Sequence, residues 1–305
     1  MRVGVTGGTG FIGAFLIRDY ADRFDFVVAT SKKEPKHPVP GVEYCWTDYS
    51  EESFRSIFHD CDAVVHLASH VMMGMDKEID VAPYVQNLTL ADDLFRAAKT
   101  LAIRNVINAS SVAVYKHVDD RPTNETDLCC PKSVYGIIKL AIEKLADLYN
   151  DRYDMRIKSL RFGQGLGIPN DINSNRFWSV LLRNCLEGKA IPVWIGAQNN
   201  GRDLIYVKDM ALAIVKALEH PELTGCYNIG TGVLATNLEV AEAFCEVFQN
   251  HAGISFIEPK EAAVDRAWMD CSKAARELGF VRQYDLLHAV EDLRQEIECA
   301  DEARP

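Results

Sequence analysis

The stretch Val3-Gly-Val-Thr-Gly-Gly-Thr-Gly-Phe-Ile-Gly13 decides how the rest of the chain is read. Arg2–Thr6 is a short apolar and β-branched run, the pattern of a buried strand. Phe11–Tyr20 then carries the apolar spacing of a helix. Gly7, Gly10 and Gly13 fall at the junction between the two. Glycine there permits a tight turn, lets backbone approach a pyrophosphate and lets the helix pack closely on the strand. The helix start adds free N–H groups and a partial positive charge. An ordinary glycine-rich turn is the plainer alternative, but the flanking strand and helix favour a dinucleotide cradle of Gly7, Gly10, Phe11, Ile12 and Gly13.

Outward from this loop, strand-like and helix-like stretches alternate. Strands are expected at Asp25–Thr30, Val42–Trp46, Ala63–Leu67, Arg104–Ser110 and Met155–Phe162, with helices at Glu51–His59, Val81–Thr100 and Val134–Asn150. Such alternation, with nearly continuous apolar strands, predicts a parallel sheet covered on both faces. After Phe162 the rhythm breaks, and Gly163–Asp171 reads as a loop by composition. Helices are expected at 175–187, 208–219, 236–251, 272–278 and 286–300, with short strands at 193–195, 204–207 and 226–230. The expected fold is α/β: a Rossmann-type doubly wound parallel sheet with a smaller C-terminal α+β substrate domain. Residues 1–163, extended by 204–232, would hold the dinucleotide; 164–203 and 233–305 would form the substrate lobe.

Composition narrows the partners. Lys plus Arg total 33 against 44 Asp plus Glu, a net charge of −11. That balance disfavours nucleic acid and anionic membrane surfaces, which need a basic face. No apolar run approaches the ~18–20 residues of a membrane span, and Met1-Arg2 leads into the first strand without a secretory leader. The nine cysteines form no Cys-x-x-Cys pair and no zinc-ligand spacing, so no metal site is expected and the thiols read as reduced, in a cytoplasmic protein.

Further site residues follow from position. The second strand ends in Thr30-Ser31-Lys32-Lys33, with no carboxylate to grip an NAD ribose. Ser31 and Lys32 suit a 2′-phosphate, so NADP is favoured over NAD, although a solvated lysine turn explains the same residues. Asp48 can accept from the adenine amino group or cap the helix that follows. Leu67 and Ala68, in His66–Ser69, would present backbone to the cofactor. Met72, Met73 and Met75 suggest a soft flap or core packing. Asn108–Tyr115 closes the fifth strand, at the sheet edge where ligands bind. Tyr135 and Lys139, at i and i+4, share a helix face. A nearby ammonium favours the phenolate, turning a poor base into a usable one, and a serine hydroxyl can share the charge developing on the reacting oxygen.

These motifs, in order, resemble the extended short-chain dehydrogenase/reductase family of NAD(P)-dependent epimerases/dehydratases. Thr6–Gly13, His66–Ser69, Ser110–Tyr115 and Tyr135–Lys139 carry the likeness, followed by Leu160-Arg-Phe, Gly201–Asp209, Tyr227–Gly230 and Asp270–Phe280. The resemblance implies that Ser111, Tyr135 and Lys139 are the catalytic set and that Lys139 also holds the nicotinamide ribose. It makes Asn87 a structural support and places the nucleotide on the second lobe. There Gln164, Asn175, Arg202 and Arg266 are candidate substrate ligands, the arginines because a guanidinium pairs two phosphate oxygens. Helix capping at Asn175 and ordinary ion pairs at the arginines are the plainer alternatives.

Two departures matter. Val112 and Ala113 stand where dehydratases keep an Asp-Glu pair, which disfavours a 4,6-dehydratase. Gln164 replaces a usual Asn, which leaves the sugar open. The expected activity is epimerisation of a nucleotide sugar, with Tyr135 taking a hydroxyl proton as hydride passes to the nicotinamide. The alternatives are an NADPH-dependent ketoreductase and a catalytically silent dinucleotide sensor. Helix 134–149 is apolar on more than one side, and family members often pair through such helices, so a homodimer is expected.

Overall fold

The computed structural model describes residues 1–31, 35, 38–69, 81–115, 120–168, 177–258 and 266–302. In chain order the first half runs β1 (Arg2–Thr6), α1 (Phe11–Tyr20), β2 (Asp25–Thr30), β3 (Glu43–Trp46), α2 (Glu51–Ile57), β4 (Ala63–His66), α3 (Ala82–Thr100), β5 (Asn105–Ser111), α4 (Val134–Tyr153) and β6 (Arg156–Phe162). The second half adds β7 (Gln164–Leu166), α5 (Phe177–Leu186), β8 (Ile191–Trp194), β9 (Gly201–Arg202), β10 (Leu204–Tyr206), α6 (Val207–Leu218) and β11 (Gly225–Ile229). It closes with β12 (Ala235–Thr236), α7 (Asn237–Val247), β13 (Ile254–Ile257), β14 (Arg266–Ala267), α8 (Ser272–Leu278) and α9 (Leu286–Glu302).

Seven strands form one parallel sheet in the order β11-β6-β5-β4-β1-β2-β3. Alternate residues of each strand feed two separate cores. Val3, Val5, Ile107 and Leu160 pack with α1 and α6, while Val27, Val64, Val106 and Ile157 pack with α3 and α4. Burial on both faces explains why these strands are apolar throughout rather than alternating. Strand order reverses between β1 and β4, and a crevice opens at the carboxyl ends of strands at such a switch point.

The segment read as a loop at Gly163–Asp171 is corrected in its first part: Gln164–Leu166 is a strand, paired in parallel with β10. Its partner lies 40 residues away, and three residues with a glycine at the centre carry no strand pattern. The remaining small sheets pair β8 with β13, and β9 with β12 and β14, over a third core that includes Trp178, Leu181, Val240, Phe244 and Leu293. Asp203, 2% exposed, ties this region together. Its carboxylate accepts from Thr231 N (2.6 Å), Thr231 Oγ1 (2.8 Å), Gly232 N (3.1 Å) and Met269 N (3.3 Å). Burial raises its proton affinity, and those four donors oppose the rise. Among the described residues no helix is long and apolar enough to cross a membrane.

Candidate active site

The glycine loop reaches across the switch point. Gly7 has φ +71°, and a Cβ there would lie 2.6 Å from Ala68 N and 2.7 Å from the Leu67 carbonyl carbon. Loop and strand end therefore touch backbone to backbone, which only glycine allows. His66 fixes the far side. Buried and 2.8 Å from Thr6 Oγ1 through Nδ1, it stands behind a hydroxyl that also accepts from Ala68 N at 3.2 Å. Burial, aided by the Lys139 charge, pushes the His66 imidazole down to about 3, so it is neutral. It shapes the Leu67–Ala68 backbone and is no acid or base.

A cleft of about 700 Å³ opens above this junction. Gly7, Gly10, Ser31, Asp48, Leu67 and Ala68, all picked from sequence, line it. Thr30, Tyr49, Gln86, Thr89 and Asp93 line it too and were missed. The last three project from one face of α3 at i, i+3 and i+7, a spacing that could have identified them. Asp48 accepts from Ser50 N (3.0 Å) and Ser50 Oγ (2.7 Å), which holds its carboxyl below the usual range. The cap of α2 is Ser50 itself, whose side chain accepts from Ser53 N; Asp48 braces that cap and still faces the cleft. Phe11 and Ile12 lie in the adjoining turn with their side chains turned to the cores. The Phe11 ring stacks on Trp178 at 6.2 Å, leaving its backbone for a ligand. Gly13 is buried in the first turn of α1. Lys32 and the Met72–Met75 run lie outside the described residues.

The cradle fits a dinucleotide on two observations. Helix α1 starts at Gly10 with no side-chain cap, leaving N–H groups for phosphate oxygens. In the cleft wall, the buried Ser69 Oγ has no hydrogen-bond partner among the described residues, and such a group ordinarily finds one.

Strand alternation separates the serine pair. Ser110 points toward α4 and donates to Glu143 Oε1 at 2.5 Å. Ser111 ends β5 on the other face and caps the short 3₁₀ turn Val112–Val114, accepting from Ala113 N at 3.2 Å. Helix α4 starts beside that turn. A Cβ on Gly136 would collide with Ala113 O and lie 2.8 Å from Pro131 Cβ, so glycine lets the helix close on the serine turn. Ser133 caps α4 by accepting from Gly136 N at 3.1 Å. Tyr135 is half-buried, its ring 6.5 Å from that of Tyr84. Lys139, 5% exposed, places Nζ 5.7 Å from the Tyr135 ring centroid and donates to Ala109 O at 2.8 Å. Burial brings its ammonium down to about 8, against a rise from Glu143. Asn87 is buried on α3. Ser111, Tyr135 and Lys139 thus cluster at the carboxyl end of β5, beyond the described lining of the cleft.

The expected substrate ligands scatter. Gln164 opens β7, with its backbone N–H on Asp203 O at 2.9 Å. Arg202 and Arg266 lie on neighbouring strands, but Arg266 pairs with Gly201 and Ala267 with Arg202. Residues one apart along a strand face opposite sides, so the two arginines do not form one clamp. Arg266 meets Asp120 at 2.9 Å and stacks over Trp268 at 5.6 Å; Arg202 donates to Gly201 O at 3.0 Å. Asn175 lies outside the described residues.

Comparison with known proteins supplies the family. Residues 3–230 match the model of the "NAD dependent epimerase/dehydratase family". A UDP-glucose 4-epimerase of Bacillus subtilis is 28% identical over 92% of this chain and 92% of its own. The crystal structure of a UDP-N-acetylglucosamine 4-epimerase from Bacillus cereus superposes with a TM-score of 0.85 at 29% identity, covering 97% of this chain and 99% of that one. A UDP-glucose 4-epimerase of Thermus thermophilus, solved with NAD, gives 0.82 at 26% identity over 96% and 99%. With the switch-point cleft, the glycine cradle and the Tyr-Lys helix in place, the chain belongs to the NAD dependent epimerase/dehydratase family.

Proposed function

We propose that this chain is a nucleotide-sugar epimerase, using NAD, with Tyr135 as its acid–base and a UDP-sugar as its substrate class. The observation that carries the reading is Lys139 Nζ, buried and 5.7 Å from the Tyr135 ring, one helical turn along α4 beside Ser111. A fixed ammonium there favours the phenolate. Tyr135 then takes the proton of a sugar hydroxyl and later returns one. Ser111 Oγ–H donates to the same oxygen and holds it in place. A dinucleotide held by Gly7, Gly10 and the uncapped start of α1 would supply reversible hydride transfer at the sugar carbon. The UDP-sugar activities of the relatives support the substrate class.

Charge in the cleft bears on the cofactor. A 2′-phosphate was expected from Ser31 and Lys32, of which only Ser31 is described. Asp48 and Asp93 line the same wall and repel a further phosphate, so NAD is favoured here. A one-way ketoreductase remains as the second reading, favoured by the end of β2, where Ala29, Thr30 and Ser31 offer no carboxylate. We further propose that residues 1–163 with 204–232 act as the dinucleotide unit and the remainder as the substrate lobe. Gln164 and Arg202 are the described candidates for the nucleotide. A homodimer is proposed through the outer faces of α3 and α4; on α4, Ile137, Leu148 and Tyr153 are 47–53% exposed. All nine cysteines are unpaired, which suits a reducing cytoplasm.

The test is a panel of UDP-hexoses assayed for epimer formation with NAD and, separately, NADPH. Epimer without net dinucleotide consumption supports the proposal; stoichiometric NADPH oxidation supports the reductase.

A further inference from the structure

Beneath the Tyr135–Lys139 pair lies a buried charge that the chemistry above does not use. Glu143, fully buried, continues their stripe along α4 at i+8 and i+4. Arg161 on β6 is 3% exposed and grips it with two bonds, Nε to Oε1 at 2.9 Å and Nη2 to Oε2 at 2.7 Å. Ser110, the residue before Ser111, donates to the same carboxylate. Arg161 Nη1 continues to Tyr115 Oη at 2.5 Å, which donates to Asn228 Oδ1 at 2.8 Å. One carboxylate thus joins the reactive helix, the serine strand and β11. Burying such a pair costs more than a well-packed apolar substitute, so its place one turn below Lys139 asks for a reason other than stability.

We propose that Glu143 is a positioning residue whose negative charge, held by Arg161 and Ser110, sets the proton affinity of the Tyr135–Lys139 pair. The inference rests on the role given to that pair above. Charges at i and i+4 on a helix are neighbours, and within the protein a unit charge is felt strongly at that range.

Other titratable groups do not confuse the sign. His66, from β4, is neutral, being pushed down to about 3. Cys226 on β11 is pushed up to about 12, and burial raises the Tyr115 hydroxyl and the Cys129 thiol. His66, Cys226 and Tyr115 gain no charge between pH 6 and ~9. Tyr84 faces Tyr135 from α3, with the ring centroids 6.5 Å apart, and is unchanged in every variant below. Glu125 in the 120–131 segment, with Lys144 and Asp147 on α4, is left unsubstituted in every variant below.

The experiment is a phenolate titration of the purified chain with no ligand added. The Tyr135 signal is the ultraviolet difference against the same protein carrying Tyr135→Phe. Glu143→Gln keeps shape and hydrogen bonding but removes the negative charge, so the Tyr135 midpoint should fall by about one pH unit. Arg161→Gln removes the opposing charge, and the midpoint should rise by a similar amount. Glu143→Asp keeps the charge and should stay near wild type. If Glu143→Gln does not fold, Arg161→Gln decides by the direction of its shift. A folded Glu143→Gln with an unmoved midpoint, or two single substitutions that shift in the same direction, would overturn the proposal. The titration needs neither dinucleotide nor sugar. A chain that epimerised nothing would therefore overturn the function while this result stood.

Discussion

The parallel sheet and the lobe behind it build their sites from different materials. Around Gly7 the cleft is mostly backbone: a positive-φ glycine against Ala68 N, an uncapped helix start, strand ends in register. In the lobe, the proposed nucleotide contacts are side chains on strands of two to four residues, such as Arg202 on β9. Backbone sites follow from topology, so they come with the fold. Side-chain sites depend on local choices that topology does not dictate. On the proposed reading, the comparison places the chemistry of this chain on the half whose site is built from backbone and its selectivity on the half whose site is built from side chains.

The strongest way to break that division is Tyr135→Phe. We expect kcat to fall by ~10²–10⁴-fold, the usual worth of a general acid–base, with dinucleotide affinity and melting temperature near wild type. A comparable loss of affinity would mean that the helix, and not the phenol, had been disturbed. Next in size is Asp203→Ala in the lobe. It strands the N–H groups of Thr231, Gly232 and Met269 and should cost about 3 kcal/mol, by the penalty for unpaired buried donors. Urea unfolding measures it; a cost below ~1 kcal/mol would show that the lobe does not hang on this carboxylate.

Lys158 sharpens the contrast from the base of the sheet. Fully buried on β6, it donates to Asn105 Oδ1 and His220 O, each at 2.9 Å, and burial brings it down to about 8. Its folded value lies below its unfolded one, so between pH 8 and about 10.5 the unfolded state binds more protons and stability rises with pH. From pH 8 to ~9.5 this contributes about 1.5 kcal/mol, and the rise should be smaller by that amount in Lys158→Met. Equal slopes in the two proteins would refute it. Arg266→Gln should matter least. Its exposed pair with Asp120 is worth ~0–1 kcal/mol, and KM should hardly change. A large rise in KM would return Arg266 to the substrate site.

How far the sequence could be read follows the same division. β1, β2 and α1 were placed to the residue because apolar runs and glycine spacing are local signals. Ser111 was singled out over Ser110, and the alternation of β5 turns the two to opposite faces. The strand at Gln164–Leu166 was missed because its pattern lies in its pairing with β10. Gln86, Thr89 and Asp93 were missed because the helix facing a cleft is set by packing. Gly136 was read only as part of a motif, although its closeness to Ala113 O brings α4 onto the serine turn. Arg202 and Arg266 looked equivalent until strand register separated them.

The most direct test of the central claim is proton NMR of a UDP-hexose panel incubated with the chain and a catalytic amount of NAD, alongside Tyr135→Phe. The account predicts that at least one UDP-hexose comes to an equilibrium mixture of two epimers, with the NAD unchanged at the end and no conversion by the variant. A folded, NAD-binding chain that converts none of them, or a Tyr135→Phe variant as active as wild type, would contradict it.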